Sequence, residues 1–389
     1  MKKRGWLKTR SSSKLMGCVI HKLLVVVVSF VVEGQAYGAA TQILNDIFYQ
    51  NPAELSLVNK AQILAGNLYI RPAFEFTGIS SGETGTVNSV VGDSLPYLLT
   101  AFRITDQFVA GINITPSGYG HLDWPEDSFV AFDSTVTNVL YYRGAIQTSY
   151  QFTDKLALGV GFNFEWNKLA ELNFVIPGSG NQVNKISGLN YTGDVGLFYK
   201  INAYNNLTAA IYTAVDTLGY GTSTLGNVTV DNLSLNLTEA SIIFVGLQHT
   251  VNEKWFVEGK VYWSNWTIQK NLDFTNTTTG SYVVPTDWKK VWSFQLFTRY
   301  VLNDNIAILG NLLYETNPGP LDTNAIGYPL AASGSLSLGL DVTVRKDLSA
   351  QIVYGYGAFL PNSPINNSTS LGTINANFQA ATLQFIYKI

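Results

Sequence analysis

The stretch that decides the fold is Ala381-Thr382-Leu383-Gln384-Phe385-Ile386-Tyr387-Lys388-Ile389. Every second side chain in it, from 381 to 389, is apolar, and three of the four between them are polar. A period of two is typical of a β-strand whose two faces meet different media. Such a strand needs a partner on each edge, and closure of a β-barrel supplies both partners.

The same alternation recurs along the chain. Leu158, Val160 and Phe162, for example, alternate with Asn163 and Glu165 on the opposite face. We predict strands near 62–76, 95–104, 107–116, 138–152, 155–170, 188–201, 206–216, 239–250, 254–268, 290–302, 305–315, 333–345, 348–359 and 375–389. That is about 14 strands, and closed single-chain bacterial barrels have an even number.

Composition and turn spacing favour an outer-membrane barrel. Charged residues are 13% of the chain, about half the usual share. Short Asp/Asn turn clusters alternate with longer polar loops, as in barrels of the outer membrane. Aromatic residues at predicted strand ends suit two interfacial girdles. They are Tyr150, Phe152, Trp166, Trp255, Trp263, Trp292, Tyr300 and Tyr387.

The N-terminus is typical of a secretory signal. Seven basic residues precede an apolar core at 23–32, and Ala36-Tyr37-Gly38 offers small residues for cleavage before Ala39. We therefore predict a signal peptide over 1–38; a retained anchor helix is the alternative, although the apolar core is short for a bilayer. Without residues 1–38, the chain has 17 basic and 26 acidic residues, which argues against nucleic-acid binding.

Residues 39–60 do not alternate and are predicted to form a hatch. Asn51 can cap a helix, Pro52 suits the first helical position, and Glu54 suits a capping box. Phe48, Tyr49, Ala53 and Leu55 complete a segment that either enters the barrel as a plug or hangs outside as an arm. We expect the plug, because a lumen of about 14 strands is otherwise an open pore. The predicted division is therefore 1–38 signal peptide, 39–60 hatch and 61–389 barrel.

Several motifs resemble those of the outer-membrane long-chain fatty acid transporters, the FadL family (OMPP1), which includes TodX-like hydrocarbon importers. The family carries Asn-Pro-Ala in a hatch before the first strand, and this chain has Asn51-Pro52-Ala53 there. Collinear matches follow at 124–127, 263–266, 286–292 and 313–318. The resemblance covers roughly 45–389.

The resemblance implies a barrel that passes hydrophobic molecules inward. A ligand is taken up at outer loops, passes to an internal pocket and leaves sideways through a gap at a kinked third strand. Here that strand is 107–116, where Gly111 and Pro116 would weaken the ladder. Another possibility is that Pro116 merely ends the strand.

A fatty acid needs a dry groove and a cation near its carboxylate. Inward positions by parity include Arg71, Arg103, Arg143, Lys260 and Arg299, of which Arg143 and Arg299 are our candidates, since a guanidinium can bind both carboxylate oxygens. Pairing with Glu75, Glu165, Glu258, Glu315 or Asp341 in ordinary ion networks is the alternative. The predicted pocket lining is Tyr141, Phe198, Tyr212, Tyr262 and Phe297, and Phe129, Val130 and Phe132 are expected at the outer surface where the ligand arrives.

No catalytic motif, metal-ligand cluster or cofactor motif is visible in the sequence, so we do not expect an enzyme. The expected partners are a long-chain fatty acid or other hydrophobic small molecule and the lipid of the outer membrane, with the protein as a monomer. A general polar porin, or a structural or adhesive barrel, is the competing interpretation.

Overall fold

The computed structural model describes residues 51–389. The predicted signal peptide and the first part of the predicted hatch, including Phe48 and Tyr49, lie outside the described residues. No helix between 51 and 389 is both long and apolar enough to cross a membrane. The two helices that do form are short 3₁₀ helices, Pro52–Leu57 and Trp266–Ile268.

One antiparallel sheet of 21 strands accounts for most of the described chain. The strands are β1 (Ala61–Ser80), β2 (Glu83–Val90), β3 (Asp93–Arg103), β4 (Phe108–Asp123), β5 (Val136–Gln151), β6 (Leu156–Leu172), β7 (Phe174–Ile176), β8 (Gly180–Lys200), β9 (Asn205–Tyr212), β10 (Val215–Leu225), β11 (Val228–Glu239), β12 (Ser241–Asn252), β13 (Trp255–Asn265), β14 (Asn271–Thr277), β15 (Gly280–Pro285), β16 (Lys290–Asn303), β17 (Ile306–Glu315), β18 (Ser333–Arg345), β19 (Leu348–Phe359), β20 (Ser363–Asn366) and β21 (Ser370–Lys388).

The last strand closes the barrel against the first. β21 pairs with β1 from Gln62↔Lys388 to Ser80↔Ser370, and its other edge pairs with β19. Fourteen of the described strands form the closed wall, which confirms the predicted number: β1, β3, β4, β5, β6, β8, β9, β12, β13, β16, β17, β18, β19 and β21. Because every wall strand has a hydrogen-bonded neighbour on both sides, the sheet has no free edge.

The remaining strands extend the outer end of the wall, in segments where the sequence indicated only polar loops. β2 continues the β1 edge, and β10, β11, β14 and β15 form a linked set of hairpins. The tight β1–β2 turn has positive φ at both Ser81 (52°) and Gly82 (87°). Such turns match the twist of a hairpin, so these segments are β-structure despite their polar composition.

Outward-facing side chains form an apolar band around the wall. On β21, Leu383 and Phe385 are each 47% exposed, whereas the alternating residues Thr382 and Gln384 are buried. Trp166, Trp292 and Tyr300 also face outward. The alternation in the final stretch therefore does separate two media, as predicted.

The side chains of β1 that face the barrel interior are not the ones predicted. Arg71 and Glu75, expected to point inward, are exposed on the outer surface, while Leu68, Phe74 and Phe76 are buried inside. The reason is that this side of the barrel encloses a large apolar core, which includes side chains from the outer loops such as Trp124. An apolar strand face can turn inward where the interior itself is dry.

Candidate transport site

The interior contains two sectors of unlike character. The apolar sector is the inward face of β1, β3 and β21: Leu68, Ile70, Phe74, Phe76, Leu95, Leu99, Ile374 and Phe378, all buried in one cluster. The charged sector is the inward face of β5, β6, β8 and β13: Arg143, Gln147, Asn163, Glu165, Asp194, Glu258 and Lys260.

The Asn-Pro-Ala segment is docked on the charged side of the wall. Asn51 is fully buried, and its side-chain amide donates to the Leu197 carbonyl and to Thr208 Oγ1, each at 2.8 Å. Its Oδ1 accepts from the Ala53 backbone N–H at 2.9 Å, as a helix cap. Ser149 Oγ donates to the Ala53 carbonyl at 3.1 Å. The motif thus bonds to three wall strands at once.

Glu54 does not complete a capping box. It accepts a hydrogen bond of 3.2 Å from Gln248 Nε2 on β12. Wall groups therefore replace the local backbone as the partner of this carboxylate, and the helix is 3₁₀ in type. The prediction that this segment lies inside the barrel does not depend on a capping box.

Two wall glycines make room for the segment. A Cβ on Gly196 would collide with Asn51 Oδ1, and a Cβ on Gly159 would collide with the backbone of Pro52 and Ala53. Glycine within a strand commonly marks such a close backbone approach. These glycines were missed at the sequence level, although their inward parity in β6 and β8 was a usable signal.

Further contacts fix the two ends of the segment. Leu55 is fully buried in a cluster with Val58, Ala101 and Val109. Arg103, predicted as an inward cation, donates to the carbonyl oxygens of Ser56 (2.6 Å), Val58 (2.9 Å) and Asn59 (2.9 Å). Arg103 therefore binds the hatch segment, and its guanidinium is already occupied by these carbonyl oxygens.

Arg143 points inward as predicted, but it is already paired. Its Nε donates to Glu165 Oε1, and Glu165 is almost fully buried. Glu165 also accepts from Ser117 and Thr192, each at 3.1 Å. The Arg143 guanidinium lies 4.9 Å from the centre of the Tyr212 ring. A ligand carboxylate would have to exchange with Glu165.

Three of the predicted pocket residues meet beside Arg143 or the hatch segment. Tyr212 and Tyr262 share a buried cluster with Phe244, and Tyr262 donates to Gln295 at 2.9 Å. Phe198 instead packs against Ala53, in contact with the docked segment. The predicted aromatic lining is therefore partly a seat for the Asn-Pro-Ala motif.

Arg299 and Phe297 lie apart from this group, whereas Tyr141 is two residues from Arg143 on the same face of β5. Arg299 bonds Asp341 at 3.1 Å, the ion-network alternative, and Phe297 packs edge-on to Phe256 at 6.3 Å. Tyr141 pairs in register with Gly118 on β4 and packs against it. The candidates form no single pocket.

The third wall strand has an interrupted ladder, although its form differs from the prediction. β4 does not end at Pro116 but continues to Asp123, and its pairing with β5 shifts register between Pro116 and Gly118. Pairing of β3 with β4 stops at Leu98↔Ile114. Gly111 lies inside the intact part, paired with Ala101, so it does not weaken the ladder as expected.

Side chains bridge the interval above Ile114. Asp93 at the start of β3 accepts from the Tyr119 hydroxyl at 2.6 Å and lies 2.7 Å from His121 Nδ1. The Asp123 backbone N–H donates to Ser89 Oγ at 2.7 Å. The upper β3–β4 boundary is therefore closed by side chains where the backbone ladder is absent.

A closed 14-strand barrel with an apolar outer band and a chain segment docked inside it is an outer-membrane β-barrel of the transport type. Residues 25–385 match the family described as "Outer membrane protein transport protein (OMPP1/FadL/TodX)". The chain belongs to that family, which confirms the resemblance drawn from its motifs and places it in the outer membrane.

Individual relatives are distant. The long-chain fatty acid transport protein of Escherichia coli (strain K12) is 22% identical over 379 residues, covering 83% of this chain and 84% of that protein. A Pseudomonas aeruginosa FadL homologue superposes with a TM-score of 0.79 at 14% identity, covering 87% of this chain and 93% of that one. The P. putida toluene transporter TodX gives a TM-score of 0.68 at 16% identity, with the same coverages. These structural likenesses show the fold.

Proposed function

We propose that this protein is a passive channel for hydrophobic molecules, either long-chain fatty acids or hydrocarbons. The observation that carries the proposal is the apolar sector, because a general porin has a polar, water-filled lumen. The named functions of the relatives support the same substrate class. Members of the family are transport channels, and the proposed role involves no catalysis.

The proposed organisation retains the predicted division. Residues 1–38 are removed as a signal peptide, 39–60 act as the hatch, and 61–389 form the barrel. The docking of Pro52–Leu57 against β5, β6 and β8 supports the hatch. Closure of the wall within one chain supports a functional monomer surrounded by outer-membrane lipid.

Uptake is proposed to begin at the outer loops. Of the three side chains expected at that surface, Phe132 is exposed, whereas Val130 is fully buried in the apolar core and Phe129 packs against Phe76. The second outer loop therefore covers the apolar sector from above and presents Phe132 outward. A ligand bound at Phe132 would lie close to the top of the apolar sector.

Exit is proposed to be lateral, through the seam between the upper parts of β3 and β4. Opening this seam breaks the side-chain hydrogen bonds of Asp93. It breaks no β3–β4 backbone hydrogen bond above Ile114, because the two strands are not paired there. Hydrophobic cargo released there reaches lipid without crossing the charged sector. Pro116 lies beside the seam, where its missing N–H costs no ladder bond.

Uptake of labelled oleate by cells with and without the chain tests the channel. We expect faster uptake with the chain and a small ion conductance in planar bilayers, because the hatch segment occupies the lumen. Unchanged uptake together with a large conductance would favour the porin.

A disulfide across the seam tests the exit route. In the Asp93→Cys/His121→Cys variant we expect oxidation to slow oleate uptake and a reductant to restore it. The matched control is Ile308→Cys/Leu340→Cys, a pair in register on the intact β17–β18 ladder. Equal uptake by the oxidised and reduced seam variant would exclude this exit.

A further inference from the structure

Three lysines gather on one side of the barrel at its outer end. Lys270 comes just before the β14–β15 hairpin, and Lys289 and Lys290 follow the hairpin at the start of β16. All three side chains are exposed, and we call them the lysine patch. The chain as a whole carries a formal net charge of −3, so the patch is a local reversal of charge.

Backbone hydrogen bonds hold the two lysine-bearing segments side by side. The Lys270 carbonyl accepts from the backbone N–H groups of Thr286 at 2.8 Å and Asp287 at 3.1 Å. The Lys289 N–H donates to the Pro318 carbonyl at 2.6 Å. The backbones that carry the patch are therefore fixed relative to one another, which lowers the ordering cost when one ligand meets all three lysines.

The patch faces outward at the level of lipid headgroups. The side chains of Lys290 and Trp292 on β16 are exposed, whereas those of Val291 and Ser293, which alternate with them, are buried inside. Outward tryptophans of a barrel lie at the membrane–water interface, and Lys290 is two residues further out, about 7 Å along the strand. Its Nζ is 5.8 Å from the centre of the Trp263 ring, a cation–π distance.

The ammonium groups of the patch are available to an anion. Among the side chains that the structure describes, no carboxylate forms an ion pair with any of the three. Asp287 lies between the hairpin and β16 but is not within ion-pair distance of them. By contrast, the exposed Lys185 pairs with Glu171 at 3.5 Å, and Arg71 shares the outward face of β1 with Glu75.

The patch lies on the opposite side of the barrel from the β3–β4 seam. In the order of the fourteen wall strands, β3 and β4 are second and third, and β13 and β16 are ninth and tenth. The two boundaries are therefore seven strands apart, half of the closed wall. A molecule held on the outward face at the patch neither enters the lumen nor covers the seam.

We propose that the lysine patch binds the phosphate groups of an anionic lipid in the outer leaflet of the membrane. Ammonium groups bind phosphate as point charges, and clusters of basic residues at a membrane surface recognise phosphorylated headgroups. The phosphates meet the three lysines, and the acyl chains lie along the apolar outer band below Trp263 and Trp292. The site is separate from the cargo path, so the proposal does not rest on the channel function.

Native mass spectrometry of the purified full-length protein in a neutral detergent tests the proposal. The probes are diphosphorylated and monophosphorylated lipid A, which differ by one phosphate. We expect the wild-type protein to bind the diphosphorylated lipid about tenfold more tightly. Each ammonium near an anionic headgroup contributes about fivefold in affinity. Lys270→Gln/Lys289→Gln/Lys290→Gln should therefore bind the diphosphorylated lipid about 100-fold more weakly, without preference between the two probes.

Two further variants control for charge and folding. Substitution of the same three lysines by arginine keeps the charge and should keep the affinity. Lys155→Gln/Lys254→Gln/Lys346→Gln removes the same charge from exposed turns at the opposite end of the barrel and should also keep it. All variants should retain the heat-modifiable band of a folded barrel on gels.

Equal affinity of the wild-type protein and the patch glutamine variant for diphosphorylated lipid A would overturn the proposal. Competition by inorganic phosphate at the concentration of the lipid would also overturn it, because the patch would then be a general anion site. We expect the patch glutamine variant to take up oleate at the wild-type rate. Slower uptake with unchanged lipid affinity would place the lysines on the cargo path and overturn the proposal. Absence of oleate uptake by the wild-type protein, with lipid binding as expected, contradicts the channel alone.

Discussion

The apolar and charged sectors share one lumen, but their side chains are stabilised in different ways. The apolar sector needs no partners, because burial of Phe74, Phe76 and Phe378 is favourable by itself, at about 25 cal/mol per Å² of apolar surface removed from water. The charged sector must pair each group, as Arg143 does with Glu165 and Lys260 with Glu258 at 3.0 Å. The proposed channel function assigns the hydrophobic cargo to the apolar sector.

The hatch segment bonds polar groups of the charged side, while Leu55 packs on Ala101 and Val109 and Arg103 of β3 holds its end. Asn51, Ala53 and Glu54 all bond side chains or carbonyls of the charged side. A hydrophobic molecule that bound there would bury those polar groups without hydrogen-bond partners, which costs free energy. We infer that the charged sector positions the hatch and the apolar sector faces the cargo.

Removal of β21 is the change that breaks both sectors at once. Truncation at Thr369 deletes the strand that joins β19 to β1 and removes Phe378 from the apolar sector. We expect no folded barrel, measured as loss of the heat-modifiable band on gels and of outer-membrane insertion. Asn375→Ala, an exposed position on the same strand, should assemble normally. A truncated chain that still inserts would show that β21 is not the closing strand.

Gly196→Val is expected to displace the hatch segment and leave the wall intact. The added side chain occupies the position of Asn51 Oδ1, while the outward face of β8 is unchanged. The expected result is a higher ion conductance in planar bilayers, with normal assembly.

Gly193→Ala is the matched control, since the nearest atom to its Cβ lies at 3.5 Å. It should keep the low conductance of the wild-type protein. If Gly196→Val conducts no better than this control, the segment does not limit the pore.

Two phenylalanines on β21 separate the interior from the outer band. Phe378 is fully buried in the apolar sector, whereas Phe385 is 47% exposed outward. Phe378→Ala should lower the free energy of unfolding by about 3–5 kcal/mol, the usual cost of a large cavity, and slow hydrophobic uptake. In unfolding assays in lipid, Phe385→Ala should cost less, because lipid fills the space. Equal costs would contradict the assignment of the two faces.

Arg143→Ala is expected to have the smallest effect on cargo. Because Glu165 already occupies its guanidinium, we predict at most about a tenfold loss of oleate affinity. Arg345→Ala, an exposed residue paired with Asp347, is the control. Binding is measured with fluorescent oleate. Equal affinities of the two variants would show that Arg143 is not part of the site.

The wall strands could be predicted from sequence because the alternation that marks each strand lies within that strand's own residues. Alternation such as that of 381–389 fixes which side chains share a face, and all fourteen wall strands were located in this way. The inward turn of the apolar face of β1 was not predictable locally, because it depends on what fills the barrel. Leu68 faces side chains that are distant in sequence, and no single strand contains that information.

The site was predicted less well for the same reason. Asn51-Pro52-Ala53 marked the hatch segment, but its partners Leu197 and Thr208 lie more than 140 residues away. Parity placed Arg143 and Arg299 inside, yet the Glu165 and Asp341 pairing depends on register between strands. The outer loops that cover the apolar sector with Trp124 and Val130 pack without any periodic signal in the sequence.

The most direct test of the division between the two walls is photolabelling of the purified protein with a diazirine-bearing fatty acid, followed by mass spectrometry of the adducts. Excess unlabelled oleate distinguishes specific adducts from those made by surrounding detergent-phase probe. The account predicts competed adducts on inward residues of β1, β3 and β21, such as Phe74 and Leu95. Competed adducts confined to the charged sector around Arg143 and Lys260 would contradict it.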